Sequence, residues 1–459
     1  RYISVTGVQT CALPIFILFV VLTVITSLYA SGYKFNLSWP LKFNRLLQKT
    51  GMLAVATKPS RAIIHLDNKP QQDLSFNPFK KDYLTTPSKV KNILPGRYEL
   101  SLELDGYWPY HQTIDIYSGE TTFVENVILF KESSPLLILA TPETNLLISP
   151  DFRYLYTQTS AEIINLKTEE RRPLFDNDTG KNDILIKAAN TDVFPPGQWL
   201  KNNKFFKDGV IFDPLKNNND NNYANIIGTS ASNWRYEESG DLLYYRNSSG
   251  LSRFAVSNQA TDLILPDGDY PDYQVRGERL FFVNRGQTLK LVSLSLKDKQ
   301  VESEWVLPNS GQYVFISNIS NYLSLYDVAN KTLYFFQEND LKAGPITINN
   351  ISSWEAINDD QILYSNGTEI QIFNLKNSRS ELITRRSEQI TDLIWHALEN
   401  YLIFTTTDTI NIFDFKNGHT TSLLKTDRLA SPALDEKNNN LYFWASIEGT
   451  AGIYKINLR

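Results

Sequence analysis

The side chains of this chain that could do chemistry are few and scattered. Its four histidines, His65, His111, His396 and His419, fall in different predicted strands and turns, and no pair has metal-ligand spacing. A lone histidine on a strand reads as a partner in a local hydrogen bond. Asp176-Asn177-Asp178-Thr179-Gly180 has the alternating oxygen ligands and glycine turn of a calcium loop, a donor set suited to a hard cation. It lacks a third acidic ligand, and Lys187 stands where the closing glutamate would be, so a solvated turn is expected. Asp267-Gly268-Asp269 with Asp272 matches that pattern less well. No G-x-S-x-G elbow, phosphate-binding Walker loop or H-E-x-x-H pair occurs. The single cysteine, Cys11, leaves neither an intramolecular disulfide framework nor a cysteine zinc site. The net charge is −5 and no long run of lysine and arginine appears, so the electrostatic footprint of a nucleic-acid binder is missing. No catalytic, cofactor-binding or metal-ligating residue is assigned, no cofactor is expected, and the chain is read as a non-enzyme.

What must position any site is a block of about 40 residues that recurs through the C-terminal two-thirds. Residues 354–376 (WEAINDDQILYSNGTEIQIFNLK) and 395–416 (WHALENYLIFTTTDTINIFDFK) are consecutive copies. Ile370, Ile372, Phe373, Lys376 and Asn377 return as Ile410, Ile412, Phe413, Lys416 and Asn417. Each copy reads as an aromatic-ended strand, an apolar strand, and then a strand alternating Ile-x-Ile-Phe before a polar turn. The second-strand cores begin at Tyr154, Phe205, Leu242, Leu280, Leu323, Ile362, Leu402 and Leu441, and from Leu242 onward their steps are 38, 43, 39, 40 and 39 residues. That is the length of a four-stranded propeller blade. Eight copies predict an eight-bladed β-propeller over 134–459, with seven blades as the alternative. The last copy ends in a third strand, residues 452–459, and leaves its sheet one strand short. The segment 135–139 (PLLIL) is expected to complete that sheet and join the two ends of the ring. Ser149-Pro150-Asp151-Phe152-Arg153-Tyr154 resembles the S-P-D turn of TolB-like propellers, which implies a structural hairpin role. Trp234, Trp354 and Trp395 lie near the ends of predicted first strands and are read as packing between blades, with sugar stacking the alternative. The triplets at Asn247-Ser248-Ser249 and Asn366-Gly367-Thr368 are read as chance in an Asn-rich chain.

Upstream, residues 51–131 carry strands of another kind. In 98–105, Tyr98, Leu100, Leu102 and Leu104 alternate with Glu99, Ser101, Glu103 and Asp105, the pattern of a half-buried antiparallel strand. It is entered through Pro95-Gly96 and left through Asp105-Gly106. The order and spacing of Pro59-Ser60-Arg61-Ala62, Leu66-Asp67, Thr85-Thr86-Pro87, Leu94-Pro95-Gly96-Arg97-Tyr98 and Gly106-Tyr107 resemble the PEGA domain. The resemblance implies a small extracytoplasmic β-sandwich without catalytic residues. The chain departs from the family at Arg61 and Asn68, where glycines are usual, and in the insertion over 71–83. The order of a membrane anchor, a PEGA domain and a propeller also resembles an arrangement known in uncultured bacteria.

Residues 5–15 (VTGVQTCALPI) resemble translated sequencing-adapter DNA, so 1–15 is set aside as an artefact. Residues 16–32 begin with FILFVVLTVITSLYA and are expected to form a single-pass transmembrane anchor. The alternative is a signal peptide cleaved near Ala30-Ser31-Gly32. Residues 33–50 are read as a juxtamembrane linker with Tyr33 and Trp39 at the interface. Lys34, Lys42, Arg45 and Lys49 on this side mildly oppose export of the downstream chain, yet its β-rich, Asn-rich character favours it. The expectation is an all-β, extracytoplasmic protein of a bacterial cell envelope, held in the membrane by its N-terminal helix. It would bind or scaffold an envelope protein or glycan, with a propeller-based glycan hydrolase or lyase as the alternative.

Overall fold

The computed structural model describes residues 9–35, 47–72, 83–142, 146–149, 151, 153–157, 162–168, 170–174, 197–216, 221–228, 230–237, 241–316, 321–396, 401–415, 418–435 and 439–459. The chain divides into two compact units, residues 1–133 with 416–421 and 459, and residues 134–415 with 422–458.

The first unit begins with a helix, α1 (Gln9–Ala30), which starts inside the segment set aside as an artefact. Its side chains from Ile15 to Leu18 are all more than half exposed, so no face of it is packed. The expected spanning anchor finds no support here: among the described residues, no helix is long and apolar enough to cross a membrane. The expected linker also carries structure, because Tyr33–Phe35 pairs antiparallel with Leu47–Lys49. Trp39, Lys42 and Arg45 lie outside the described residues.

The sandwich has one sheet of three strands, in the order Ser88–Ile93, Gly51–Lys58, Thr121–Ile128, and one of four, in the order Lys69–Pro70, Ile63–Leu66, Gly96–Glu103, Tyr110–Ile116. Leu53, Val55, Ile64, Leu100, Leu102, Ile114 and Val127 fill the space between them. The alternation in 98–105 is realised at Leu100 and Leu102, but Ser101 is also buried. Its hydroxyl donates to Glu103 Oε1 at 3.1 Å, which satisfies it under neighbouring side chains. Thr86 is buried because its hydroxyl oxygen accepts the Ala62 N–H at 3.0 Å. Asp67 Oδ1 accepts the Glu99 N–H at 2.9 Å, and the Tyr98 hydroxyl donates to the Leu94 carbonyl at 2.7 Å.

Arg61 and Asn68 sit at φ 77° and 61°. The left-handed backbone expected of glycines is therefore kept by residues that carry a Cβ, at about 1 kcal/mol each. Arg61→Gly is expected to raise the urea midpoint slightly, by about 0.5 kcal/mol after the extra chain entropy of glycine is subtracted. A loss of stability would show instead that the Arg61 side chain holds the turn.

The second unit is built from eight four-stranded antiparallel sheets taken almost in chain order. Blades 1 to 7 occupy 146–173, 198–222, 232–266, 273–306, 313–348, 353–385 and 390–425. Blade 8 combines Arg428–Leu434, Asn440–Ile447 and Thr450–Asn457 with Leu136–Ala140 from the start of the unit. The expected closure is therefore present, and Leu136 and Ala140 pair with Lys455 and Gly452. Every expected second-strand core lies in the second strand of a sheet, including the weakly patterned copy at Phe205.

No sheet closes on itself; the ring closes by packing. One apolar cluster joins Tyr156 of blade 1 to Phe205 of blade 2, and others join blades 2 and 3, 3 and 4, 4 and 5, 5 and 6, and 6 and 7. The first strand of blade 7 lies against that of blade 8, and Tyr442 and Ile453 of blade 8 pack with Leu155 and Ile164 of blade 1. The first strands Ser232–Glu237 and Ser353–Asn358 are half-buried and the fourth strand Arg379–Arg385 mostly exposed, as expected when first strands line an axis and fourth strands form the rim.

The closing strand leaves no room at Gly452, where an added Cβ would lie 2.4 Å from the Leu139 carbonyl oxygen. Gly452→Val is expected to cost roughly 1–2 kcal/mol by pushing Leu136–Ala140 off the sheet. Hydrogen exchange at 136–140 would report it, and unchanged protection there would count against this closure.

Candidate functional site

Two acidic side chains at or beside first strands are bonded across blades. Asp272, at the entry to blade 4, is fully buried. Its Oδ1 accepts from Arg235 Nη2 of blade 3 at 2.6 Å and from the Tyr273 N–H at 2.9 Å. Its Oδ2 accepts from the Phe315 N–H of blade 5 at 2.8 Å. One carboxylate thus ties three successive blades, and the Arg235 guanidinium also lies 5.6 Å from the centroid of the Tyr273 ring. Burial raises the Asp272 carboxyl above the ordinary carboxylate range, with the guanidinium and the N–H donors pulling the other way.

Two blades further on, Glu355 in the first strand of blade 6 accepts from the Trp395 N–H of blade 7 at 2.6 Å through Oε2. Burial pushes its carboxyl up to about 7, and that N–H is the one group lowering it. Sequence patterning singled out Asp272 only as part of a weak calcium-loop candidate and missed Glu355, because an acidic residue on a first strand looks like any solvated one. The detectable signal was an unpaired charge inside a predicted strand.

Of the candidates read from the sequence, Asp267 lies 3.6 Å from Arg246, whose guanidinium also donates to the Gly268 carbonyl, so an arginine occupies the place a cation would need. Residues 176–180 and Lys187 lie outside the described residues. His65 faces Glu103 at 3.6 Å, and the buried His396 ring packs 4.2 Å from that of Tyr401. Among the described residues no group of three or more His, Cys, Asp or Glu side chains could hold a metal ion.

In the S-P-D turn, Ser149 Oγ donates to Asp151 Oδ1 at 2.6 Å and accepts from the Arg153 and Tyr154 N–H groups. The expected structural role is present; Pro150 and Phe152 lie outside the described residues. Asn247 and Asn366 accept the N–H groups of Ser249 and Thr368 at 2.9 and 3.1 Å, as turn-forming asparagines do.

The tryptophans pack between blades. Trp234, Trp354 and Trp395 each border an inter-blade cluster. Trp354 and Trp395 are not equivalent, however. Trp354 stands opposite Tyr364 and Trp395 opposite Leu402, two residues apart in blade register. Trp354 begins its strand and Trp395 nearly ends one, which the shared aromatic letter hid. Lys416 and Asn417, the recurring turn of the second copy, lie outside the described residues.

Sheet order and packing define a β-propeller, preceded in the chain by a two-sheet sandwich. The PEGA domain family model matches residues 80–128, inside the segment read as PEGA-like. No curated protein matches the sequence. The structure is similar to that titled "Crystal structure of the eukaryotic initiation factor", with 13% identity over 70% of this chain and 89% of that one at a TM-score of 0.40. It is also similar to a chain of the Mitotic Checkpoint Complex (11% identity, 72% and 93% covered, TM-score 0.37) and to the Neurospora crassa Pan2 WD40 domain (12%, 50% and 90%, 0.27). At these scores the likenesses add nothing to what the sheet order establishes.

Proposed function

We propose that this chain is a membrane-anchored, extracytoplasmic binding or scaffolding protein of a bacterial cell envelope, whose propeller receives a protein or an envelope glycan. The observation that carries this reading is the division of polar groups in the ring. The buried carboxyls of Asp272 and Glu355 are engaged by backbone N–H groups of the following blade, so they serve assembly. Loops at one face of a rigid scaffold are where such platforms bind.

The anchor reading rests on α1, whose described apolar side chains, including Ile15, Phe16, Phe19, Leu22 and Ile25, are exposed. Lipid would remove them from water, at about 25 cal/mol per Å² of apolar surface.

Affinity capture from envelope extract with the full chain in detergent tests the platform. Enrichment of one protein or one glycan is expected. Recovery of nothing, together with turnover of a glycan panel, would replace binding with catalysis.

A further inference from the structure

We propose that the turns of blade 6 form a binding site for a neutral saccharide, an inference that rests on the platform reading for its setting. The turn between the first and second strands supplies Asn358, Asp360 and Gln361, and that between the third and fourth supplies Asn374 and Lys376. With Asn321 from the corresponding turn of blade 5, they line an open hollow of about 380 Å³. No apolar side chain contributes to it. A protein-docking hot spot would be expected to offer aromatic or arginine anchors around an apolar centre.

The hollow is pre-arranged in a particular sense. Asn358 Oδ1 accepts the Asp360 N–H at 2.9 Å, and Gln361 Oε1 accepts from Asn358 Nδ2 at 2.9 Å. Asn374 Oδ1 accepts the Lys376 N–H at 3.0 Å, and Asp360 Oδ2 accepts from Lys376 Nζ at 2.6 Å. The amide oxygens are thus engaged and their planes fixed. Gln361 Nε2 and Asn374 Nδ2 make no hydrogen bond to the described residues, so two oriented donors stand beside carboxylate lone pairs. Adjacent donors and acceptors are what neighbouring sugar hydroxyls require, since each hydroxyl both donates and accepts.

Charge narrows the class. Asp359, which also lines the hollow, Asp360 and Lys376 sum to −1, which disfavours a uronic or sulfated sugar. Stability does not demand this arrangement, because Lys376 is well exposed and such surface ion pairs contribute little.

The test uses the full chain and isothermal titration with chitotetraose, cellotetraose and maltotetraose, with trigalacturonate as the anionic control. At least one neutral oligosaccharide is expected to bind. The paired substitutions Gln361→Ala and Asn374→Ala should weaken that binding about tenfold through two lost hydrogen bonds, with the urea midpoint lowered only slightly by the lost turn bonds. The inference is overturned if no neutral oligosaccharide binds at about 10 mM, if the double variant binds equally well, or if trigalacturonate binds as tightly. Capture of an envelope protein with no sugar bound would sink this site and leave the platform standing. A bound neutral sugar with no partner captured from extract would do the reverse.

Discussion

Asp272→Ala is expected to destabilise the propeller by about 3–5 kcal/mol, the range for removing one partner of a buried ion pair. The carboxylate receives three donors in a fully buried position. Truncation leaves the Arg235 charge without its partner and strands the N–H groups of Tyr273 and Phe315. Both N–H groups belong to first strands, so the loss falls on the junctions of blades 3, 4 and 5 together. Urea unfolding followed by tryptophan fluorescence would show a lower midpoint. Adding Arg235→Met should recover part of the loss, because the uncompensated charge disappears while the unpaired N–H groups remain. A single-variant loss below about 1 kcal/mol, or no recovery in the double variant, would show that the carboxylate does not tie these blades.

Glu355 sets a pH dependence whose sign is fixed. Its carboxyl is raised from 4.5 to about 7 because burial disfavours the charged form and no cation offsets it. Between those values the folded chain holds a proton that the unfolded chain has released. The contribution is therefore complete below pH 4.5 and is lost as pH rises through 7. At 1.36 kcal/mol per pH unit, the loss is at most about 3 kcal/mol. Glu355→Gln keeps an oxygen for the Trp395 N–H and cannot ionise. The variant should match the parent near pH 5 and exceed it by about 2–3 kcal/mol at pH 8. Urea midpoints at several pH values would measure this, and parallel slopes for parent and variant would refute it.

The sandwich shows how far local pattern reaches. Leu100 and Leu102 declared their face by alternation, and the PEGA-like motifs marked turns whose bonds at Asp67, Thr86 and Tyr98 are now explicit. Ser101 broke the pattern because a short hydroxyl with a neighbouring acceptor can be covered without penalty. The strand pair inside the linker was not legible, because three-residue strands such as Tyr33–Phe35 are too short to show a period.

By itself the sequence determined the eight sheets, their second-strand cores and the strand that closes the ring. Each of these is written in apolar residues at short range and repeated about every 40 positions. Only the tertiary structure decided what the sheets do to one another. Asp272 meets Phe315, Glu355 meets Trp395, and the blade 6 turns gather amides around a hollow beside blade 5. Those meetings depend on how neighbouring sheets are set against each other, and a period records where strands recur without recording which side chains then come face to face.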